Sequence, residues 1–309
     1  MKVLLTGASG FVGRGVWQGL LQCSHSVRSV LRSRTAALAM VGEDVVIIST
    51  LDALTDWSQA LVDADAVVHC AARAHIMRDE ATDPLAEYRR VNVEGTLRLA
   101  QQAAAAGVKR FVFISSIKVN GEGTQPGQAF YADDAPAPED AYGLSKAEAE
   151  AGLHKIAQET GMELVIIRPV LVYGPAVKGN FQSMVRWVDR GIPLPLGSVT
   201  GNRRSLVALD NLVDLICTCV DHPRAANRTF LVSDGEDLST ADLLQRIGIS
   251  QGRRARLLAV PASLLNLAAR LLGKGAVAQR LLGSLQVDIT KTRELLDWQP
   301  PLSVDEGLK

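Results

Sequence analysis

A tyrosine and a lysine four residues apart, in Tyr142-Gly143-Leu144-Ser145-Lys146, give the chain its first opening for acid/base chemistry. On a helix that spacing sets both side chains on one face. An ammonium beside a phenol favours the phenolate. The expectation is therefore a phenol pKa brought down from about 10 toward neutrality, where the group gives and takes a proton readily. Such pairs are common on plain helix surfaces, and it is chain order that singles this one out. It follows Phe113-Ile114-Ser115-Ser116, an apolar run that closes on two hydroxyls.

A second constellation stands at the N-terminus. Thr6-Gly7-Ala8-Ser9-Gly10-Phe11-Val12-Gly13 follows an apolar run and opens a helical pattern, with glycines at i, i+3 and i+6. Backbone amides at a helix N-terminus hold a pyrophosphate, and glycines let the backbone approach it. Set between a strand and a helix, the trio predicts a dinucleotide site. The end of the second strand selects the dinucleotide. An acidic residue there accepts from a free ribose 2′-hydroxyl, whereas arginine pairs with a 2′-phosphate. This run ends in Leu31-Arg32-Ser33-Arg34, with no Asp or Glu before Glu43. The sequence thus favours NADP(H), with NAD(H) as the alternative.

The elements that must position these groups are legible as apolar runs at 2–6, 26–31, 45–48, 66–69, 110–115 and 163–167, separated by helical patterns. Near-continuous apolar strands alternating with helices predict a parallel sheet covered on both faces. The fold class is α/β: a Rossmann-type doubly wound parallel sheet over residues 1–170, at whose carboxyl edge the glycine loop, Ser116 and the Tyr/Lys pair converge. One helix, over 84–106, has Pro84 near its first turn and Gly107 past its end; another, over 141–159, stops before Gly161. Residues 171–309 are expected to form a smaller, mainly helical substrate lobe, with helices near 211–220, 240–247 and 262–272, one strand over 228–232, and a chain free to cross between lobes. The most apolar stretch, 257–285, is interrupted by Arg270, Lys274 and Arg280. It is read as a core-facing helix pair rather than as an amphipathic helix lying on a membrane.

Composition excludes other classes. The 309 residues carry 33 Lys+Arg and 33 Asp+Glu, so nothing marks a nucleic-acid binder or an acidic tail, and 47% hydrophobic with 21% charged residues describes a globular chain. The apolar run after Met1-Lys2 is too short for a secretory signal and no stretch suits a membrane span, so a cytoplasmic protein is expected. Cys23, Cys70, Cys217 and Cys219 have no metal-ligand spacing and are read as buried thiols. His69, His75, His154 and His222 make no ligand set either, so no metal is expected.

Together the motifs resemble the extended short-chain dehydrogenase/reductases of the nucleotide-sugar epimerase/dehydratase type, over nearly the whole chain. The resemblance rests on TGASGFVG at 6–13, VVHCAA at 67–72, VNVEGT with Asn92, FISSIKVNGEG at 113–123, YGLSK at 142–146, IIRPVLVYGP at 166–175, GNFQSMV at 179–185, RRSLVALDNLVDLI at 203–216 and the closing LLDWQPPLSVDEGL. It implies that Ser116 is the active-site serine, Tyr142 the general acid/base and Lys146 the holder of the ribose. Gly7, Gly10 and Gly13 would face the pyrophosphate, Ala71, Ala72 and Asn92 would lie along the cofactor, and Pro169 and Val172 would pack near the nicotinamide. Phe11, Val12, Ser33, Leu51 and Ser115 complete the expected cofactor contacts, and Thr50 stands where many members place an Asp against the adenine. Asn180 and Arg203 match positions that touch the phosphates of a nucleoside diphosphate sugar, a task to which Arg is suited.

The segment SSIKVNGEG looks like that of bacterial O-antigen 4-keto reductases, which makes Lys118 a candidate substrate contact. Asn120 stands where a Tyr is frequent, and Ile117 where dehydratases carry an acidic pair. The helix pair 84–106 and 141–159 resembles those that build homodimers in such proteins. The resulting expectation is an NADPH-dependent reduction of the C4 ketone of a UDP-linked 4-keto-6-deoxy-N-acetylhexosamine, in lipopolysaccharide synthesis. Tyr142 would protonate the developing alkoxide and Ser116 would donate a hydrogen bond to it. The alternative is an NAD-dependent UDP-hexose 4-epimerase, which uses the same residues and keeps its cofactor. A non-catalytic NADP(H)-sensing module would be marked by loss of the Tyr or the Lys, and both are present.

Overall fold

In chain order the elements are β1 (Lys2–Thr6), α1 (Phe11–Gln22), β2 (Ser26–Leu31), β3 (Asp44–Ile47), β4 (Ala66–His69) and α2, a continuous helical run through Pro84–Tyr88, Arg89–Glu94 and Gly95–Ala105. There follow β5 (Arg110–Ile114), α3 (Ala141–Thr160), β6 (Glu163–Pro169), β7 (Leu171–Tyr173), α4 (Asn180–Asp189), β8 (Arg204–Ala208), α5 (Leu209–Asp221), β9 (Arg228–Val232) and β10 (Asp237–Leu238). The chain closes with α6 (Thr240–Ser250), α7 (Ala262–Leu271), α8 (Gly275–Leu282), α9 (Thr290–Leu296) and α10 (Val304–Gly307). This computed structural model describes residues 1–33, 44–74, 82–125, 127–177 and 179–309.

Seven strands form one sheet in the order β3-β2-β1-β4-β5-β6-β9, every neighbouring pair parallel. Alternation along each strand feeds two cores. Val3, Leu5, Val112 and Ile114 face one helix layer with Val16 and Leu20 of α1 and Leu212 and Ile216 of α5. Leu4, Val67, Phe111 and Phe113 face the other, with Leu99 and Ala103 of α2 and Leu153 and Ile156 of α3. Both faces are covered, which is why the central strands lack a polar side. The chain runs from β1 outward to β3 and then restarts at β4 on the other side of β1. That direction reverses between β1 and β4, and in doubly wound sheets ligands bind at the carboxyl ends of the strands at such a switch point.

Beyond Pro169 the structure departs from expectation in three places. β9, expected in the second lobe, completes the large sheet, and α5 packs beside α1. The lobe has its own sheet, β10-β8-β7, built on strands of two to five residues that are too short to show a period in the sequence. Its core gathers Tyr173, Phe181, Met184, Leu206, Leu244 and Ile247. Finally, the helix pair in 257–285 is not core-facing throughout. α7 buries no residue, because its sequence is apolar over a wider arc than one packing partner covers. Among the described residues, no helix is long and apolar enough to cross a membrane.

Candidate active site

The glycine loop is shaped by two close approaches. Gly7 turns with φ +75°, a conformation that favours glycine, and a Cβ there would sit 2.8 Å from the Ala71 nitrogen. A Cβ on Gly13 would sit 2.0 Å from the Gly7 carbonyl oxygen. Thr6 ties the ends of β1 and β4 together: its Oγ1 accepts from the Ala71 amide at 3.2 Å and bonds His69 Nδ1 at 2.7 Å. α1 then begins with no side-chain cap and no acidic residue in its first turn. The positive end of its dipole is left for an anion, and these residues fit the pyrophosphate of a dinucleotide.

Asn92 fastens the neighbouring wall. It sits in a π-helical turn of α2, Arg89–Glu94, a departure from α geometry that often accompanies a functional side chain. Its Oδ1 accepts from the Arg73 amide at 2.8 Å. Its Nδ2 donates to the Arg73 carbonyl at 3.1 Å and to Ser145 Oγ at 3.0 Å. One buried amide thereby joins the segment after β4, with Ala71 and Ala72, to the helix that carries Tyr142 and Lys146.

Asp140 caps α3, its Oδ1 accepting from the Gly143 amide at 2.7 Å, which places Tyr142 in the first helical turn. Gly143 is required there, since a Cβ would lie 2.8 Å from the Lys118 carbonyl oxygen of the turn after Ser116. Tyr142 is half-buried, and the edge of one ring meets the other at Tyr88, with centroids 6.0 Å apart. The structure differs here from the expectation of an acidified phenol. Burial, together with the charges at Asp140 and Tyr88, pushes the Tyr142 pKa up, and only a hydrogen bond from Ser116 acts the other way. Lys146 is buried and donates to the Ile114 carbonyl at 2.7 Å, with its ammonium 4.2 Å from the centre of the Phe113 ring. Burial lowers its pKa to about 8, against the pull of Glu150.

Behind Ser116 runs a buried polar chain that the sequence did not reveal. Ser115 Oγ donates to Glu150 Oε1 at 2.5 Å, and Glu150 takes two arms of Arg168 at 3.0 and 2.6 Å. The third arm donates to Asn120 Oδ1 at 3.0 Å, and Asn120 Nδ2 donates to the Tyr131 carbonyl at 3.0 Å. A buried ion pair is tolerable only when its remaining donors are satisfied, and Asn120, in the place of the more frequent Tyr, supplies that acceptor. Lys118 makes a half-buried triad instead, donating to Glu122 at 2.6 Å and to Asp140 at 2.5 Å. These carboxylates hold its pKa above the ordinary lysine value despite burial.

The other expected residues are dispersed. Arg32 and Ser33 lie exposed past β2, and Arg34 lies outside the described residues. Thr50 is exposed with its carbonyl accepting from Thr55, and Leu51 is buried against Gly95. Phe11, Val12 and Val172 are half-buried, and Pro169 is buried at the end of β6. Asn180 opens α4. Arg203 is exposed and donates to the Thr200 and Asn202 carbonyls at 2.8 and 2.9 Å. Its neighbour Arg204, passed over in the sequence, points inward and donates to the Gly283 carbonyl at 3.3 Å. Burial lowers the Arg204 pKa, Arg280 adds to that and Glu122 opposes it. His69 is a core histidine, bonded at both nitrogens by Thr6 and Thr96, its pKa pushed by burial to about 3. Among the described residues, no group of three or more His, Cys, Asp or Glu could hold a metal ion. All four cysteines are free, and Cys23 is exposed rather than buried.

Comparison with known proteins gives this geometry a family. Residues 3–233 match the model of the NAD dependent epimerase/dehydratase family. A UDP-glucose 4-epimerase of Vibrio cholerae is 50% identical over 100% of this chain and 93% of its own length. Among solved structures, a UDP-glucuronic acid 4-epimerase from Bacillus cereus in complex with NAD superposes with a TM-score of 0.78 at 21% identity, over 100% of this chain and 96% of that one. A UDP-glucose 4-epimerase from Thermotoga maritima with UDP-glucose gives 0.77 at 22%, with the same coverage.

The 50% identity to a 4-epimerase overturns the expected 4-keto reductase. The two reactions share Ser, Tyr and Lys and differ in whether the cofactor leaves, which no short segment spells out. The expected preference for NADP(H) finds no support either: the family is described by NAD, and the B. cereus structure holds NAD.

Proposed function

The chain belongs to the NAD dependent epimerase/dehydratase family, and on that footing we propose that it is a UDP-hexose 4-epimerase that retains NAD and interconverts UDP-glucose and UDP-galactose. The observation that carries the reading is that Ser116 follows β5 and Tyr142 opens α3, with Lys146 bonded to the Ile114 carbonyl and Asn92 tying that helix to the segment after β4 against which Gly7 turns. Gly7, Gly10, Gly13 and the start of α1 would hold the pyrophosphate of NAD, with Ala71, Ala72 and Asn92 along it. NAD supplies, when bound, the reversible two-electron oxidation at the sugar's C4.

The protein's share is the proton and its placement. Tyr142 takes the proton of the sugar 4-hydroxyl and gives it back, while Ser116 donates a hydrogen bond to the same oxygen. The hydrogen bond from Ser116 favours the ionised phenol against burial, and Lys146, one helical turn along, would hold the ribose of NAD. The diphosphate falls to Arg204 and Arg280. Two like charges close together, one of them desolvated, gain from an anion between them.

The test is incubation of the purified protein with UDP-galactose and no added cofactor. UDP-glucose should appear in the NMR spectrum, and mass spectrometry of denatured protein should release NAD. An enzyme that arrives without dinucleotide, or leaves UDP-galactose untouched when NAD is supplied, would refute the reading.

A further inference from the structure

α7 carries two stripes at helical spacing. Ser263, Asn266 and Arg270 form a polar one. Leu264, Leu267 and Leu271 form an apolar one that faces solvent, with exposures of 56%, 55% and 79%. The inner face, with Leu265 and Ala269, rests with α8 over an apolar cavity of about 330 Å³ walled by Trp187, Ile192, Leu196 and Leu281. Leu272, Val277 and Leu258 extend the exposed apolar surface around the hairpin. Isolated exposed leucines need no explanation, but a stripe of them does.

Charge indicates what covers it. From Arg254 through Val287 the chain has no Asp or Glu, although the molecule as a whole carries 33 basic and 33 acidic residues. Arg254, Arg256, Arg270 and Lys274 are all exposed, and none of them makes an ion pair among the described residues. Elsewhere Arg28, Arg110, Arg168 and Arg246 pair with carboxylates. An apolar helical stripe bordered by unneutralised cations is the pattern of a helix that lies in the interface of an anionic bilayer. A second copy of this chain would bring the same cations face to face, and a neutral apolar partner would leave them without counter-charge.

We propose that the α7–α8 hairpin docks this protein on an anionic membrane surface, with Leu264, Leu267 and Leu271 entering the headgroup boundary and Arg270 and Lys274 pairing with lipid phosphates. The proposal does not depend on which sugar is turned over.

Flotation of the full-length protein with phosphatidylcholine vesicles, and with vesicles containing one part in three phosphatidylglycerol, tests it. Binding to the anionic vesicles should exceed binding to the neutral ones by about tenfold or more and should fall away at about 0.5 M salt. Replacing Arg270→Gln together with Lys274→Gln should weaken it by about tenfold, and so should Leu267→Gln together with Leu271→Gln. All are exposed, so both variants should keep their nucleotide-sugar turnover in free solution. The charge pair stands as the test if the leucine pair misfolds. Absence of binding, or equal binding to both vesicle types, would overturn the proposal. So would a lipid-free dimer that either variant splits, since that places a second copy on this face.

Discussion

Lys146 of α3 donates its ammonium proton to the carbonyl of Ile114, the last residue of β5, at 2.7 Å. The bond holds a cation in the sheet's carboxyl edge without a carboxylate on it. The cost shows in its pKa of about 8. Because the folded value lies below the unfolded 10.5, the unfolded chain binds the extra proton between pH 8 and 10.5. Stability of the cofactor-free protein should therefore rise with pH through that window, and the burial cost is fully present below pH 8. Lys146→Met removes the charge. The melting temperature of the cofactor-free protein at pH 7 should rise, by the equivalent of about 1–3 kcal/mol, while turnover falls by at least about a hundredfold. A lower melting temperature would show that the ammonium stabilises this fold.

Ser116 and Tyr142 divide the work differently. Tyr142→Phe deletes the proton carrier while keeping the ring that meets Tyr88, so kcat should drop by about three orders of magnitude with released NAD unchanged. Ser116→Ala removes a donor to the reacting oxygen, and a loss of about a hundredfold is expected. Coupled UDP-sugar assays with mass spectrometry of the bound dinucleotide read both effects.

Gly13→Ala would put a methyl 2.0 Å from the Gly7 carbonyl oxygen, and since that oxygen also accepts from the Gly10 amide at 2.8 Å, the whole turn must open. The cradle for the pyrophosphate opens with it. The variant should purify with bound NAD reduced by about tenfold or more, whereas Gly275→Ala, where the backbone is helical and a Cβ meets nothing within 4 Å, should keep its NAD.

The parallel sheet was legible because its strands are apolar on both faces, and the glycine loop because it joins a strand to a helix. Tyr142 and Lys146 showed themselves by spacing, but their pKa values did not, since burial outweighs proximity and sequence spacing carries no burial. The chain from Ser115 through Glu150 and Arg168 to Asn120 joins residues up to 53 positions apart, in α3, in β6 and in the segment after β5; only the structure closes it. Asn120 was visible as a departure, yet its purpose depends on an arginine one strand away. The lobe's three short strands carry too few residues for a period.

Arg204 and Arg203 offer a test between adjacent residues. Arg204 is half-buried beside Arg280, whereas Arg203 is exposed and already committed to two carbonyls. Arg204→Gln should raise KM for the UDP-sugar by about tenfold with little change in kcat, the pattern of lost uniform binding. Arg203→Gln should move neither by more than about twofold. The reverse ranking would transfer the diphosphate to the exposed residue.

His69 lies at the end of β4 with Thr6 on one nitrogen and Thr96 on the other, stacked on Phe113. Both hydroxyls are satisfied by the neutral ring, and burial, reinforced by the nearby Lys146 charge, lowers its pKa to about 3 from 6.5. The unfolded chain takes up a proton below 6.5 that the folded chain refuses until about 3. Stability from this group is thus complete above pH 6.5 and is lost as the pH falls toward 3. At pH 5 the loss should amount to about 2 kcal/mol. Denaturant midpoints at pH 7 and pH 5 should separate more widely for the wild type than for His69→Gln, which bonds both threonines but cannot titrate. If the two proteins lose stability in parallel, the acid sensitivity belongs to the carboxylates and the ring is protonated where it lies.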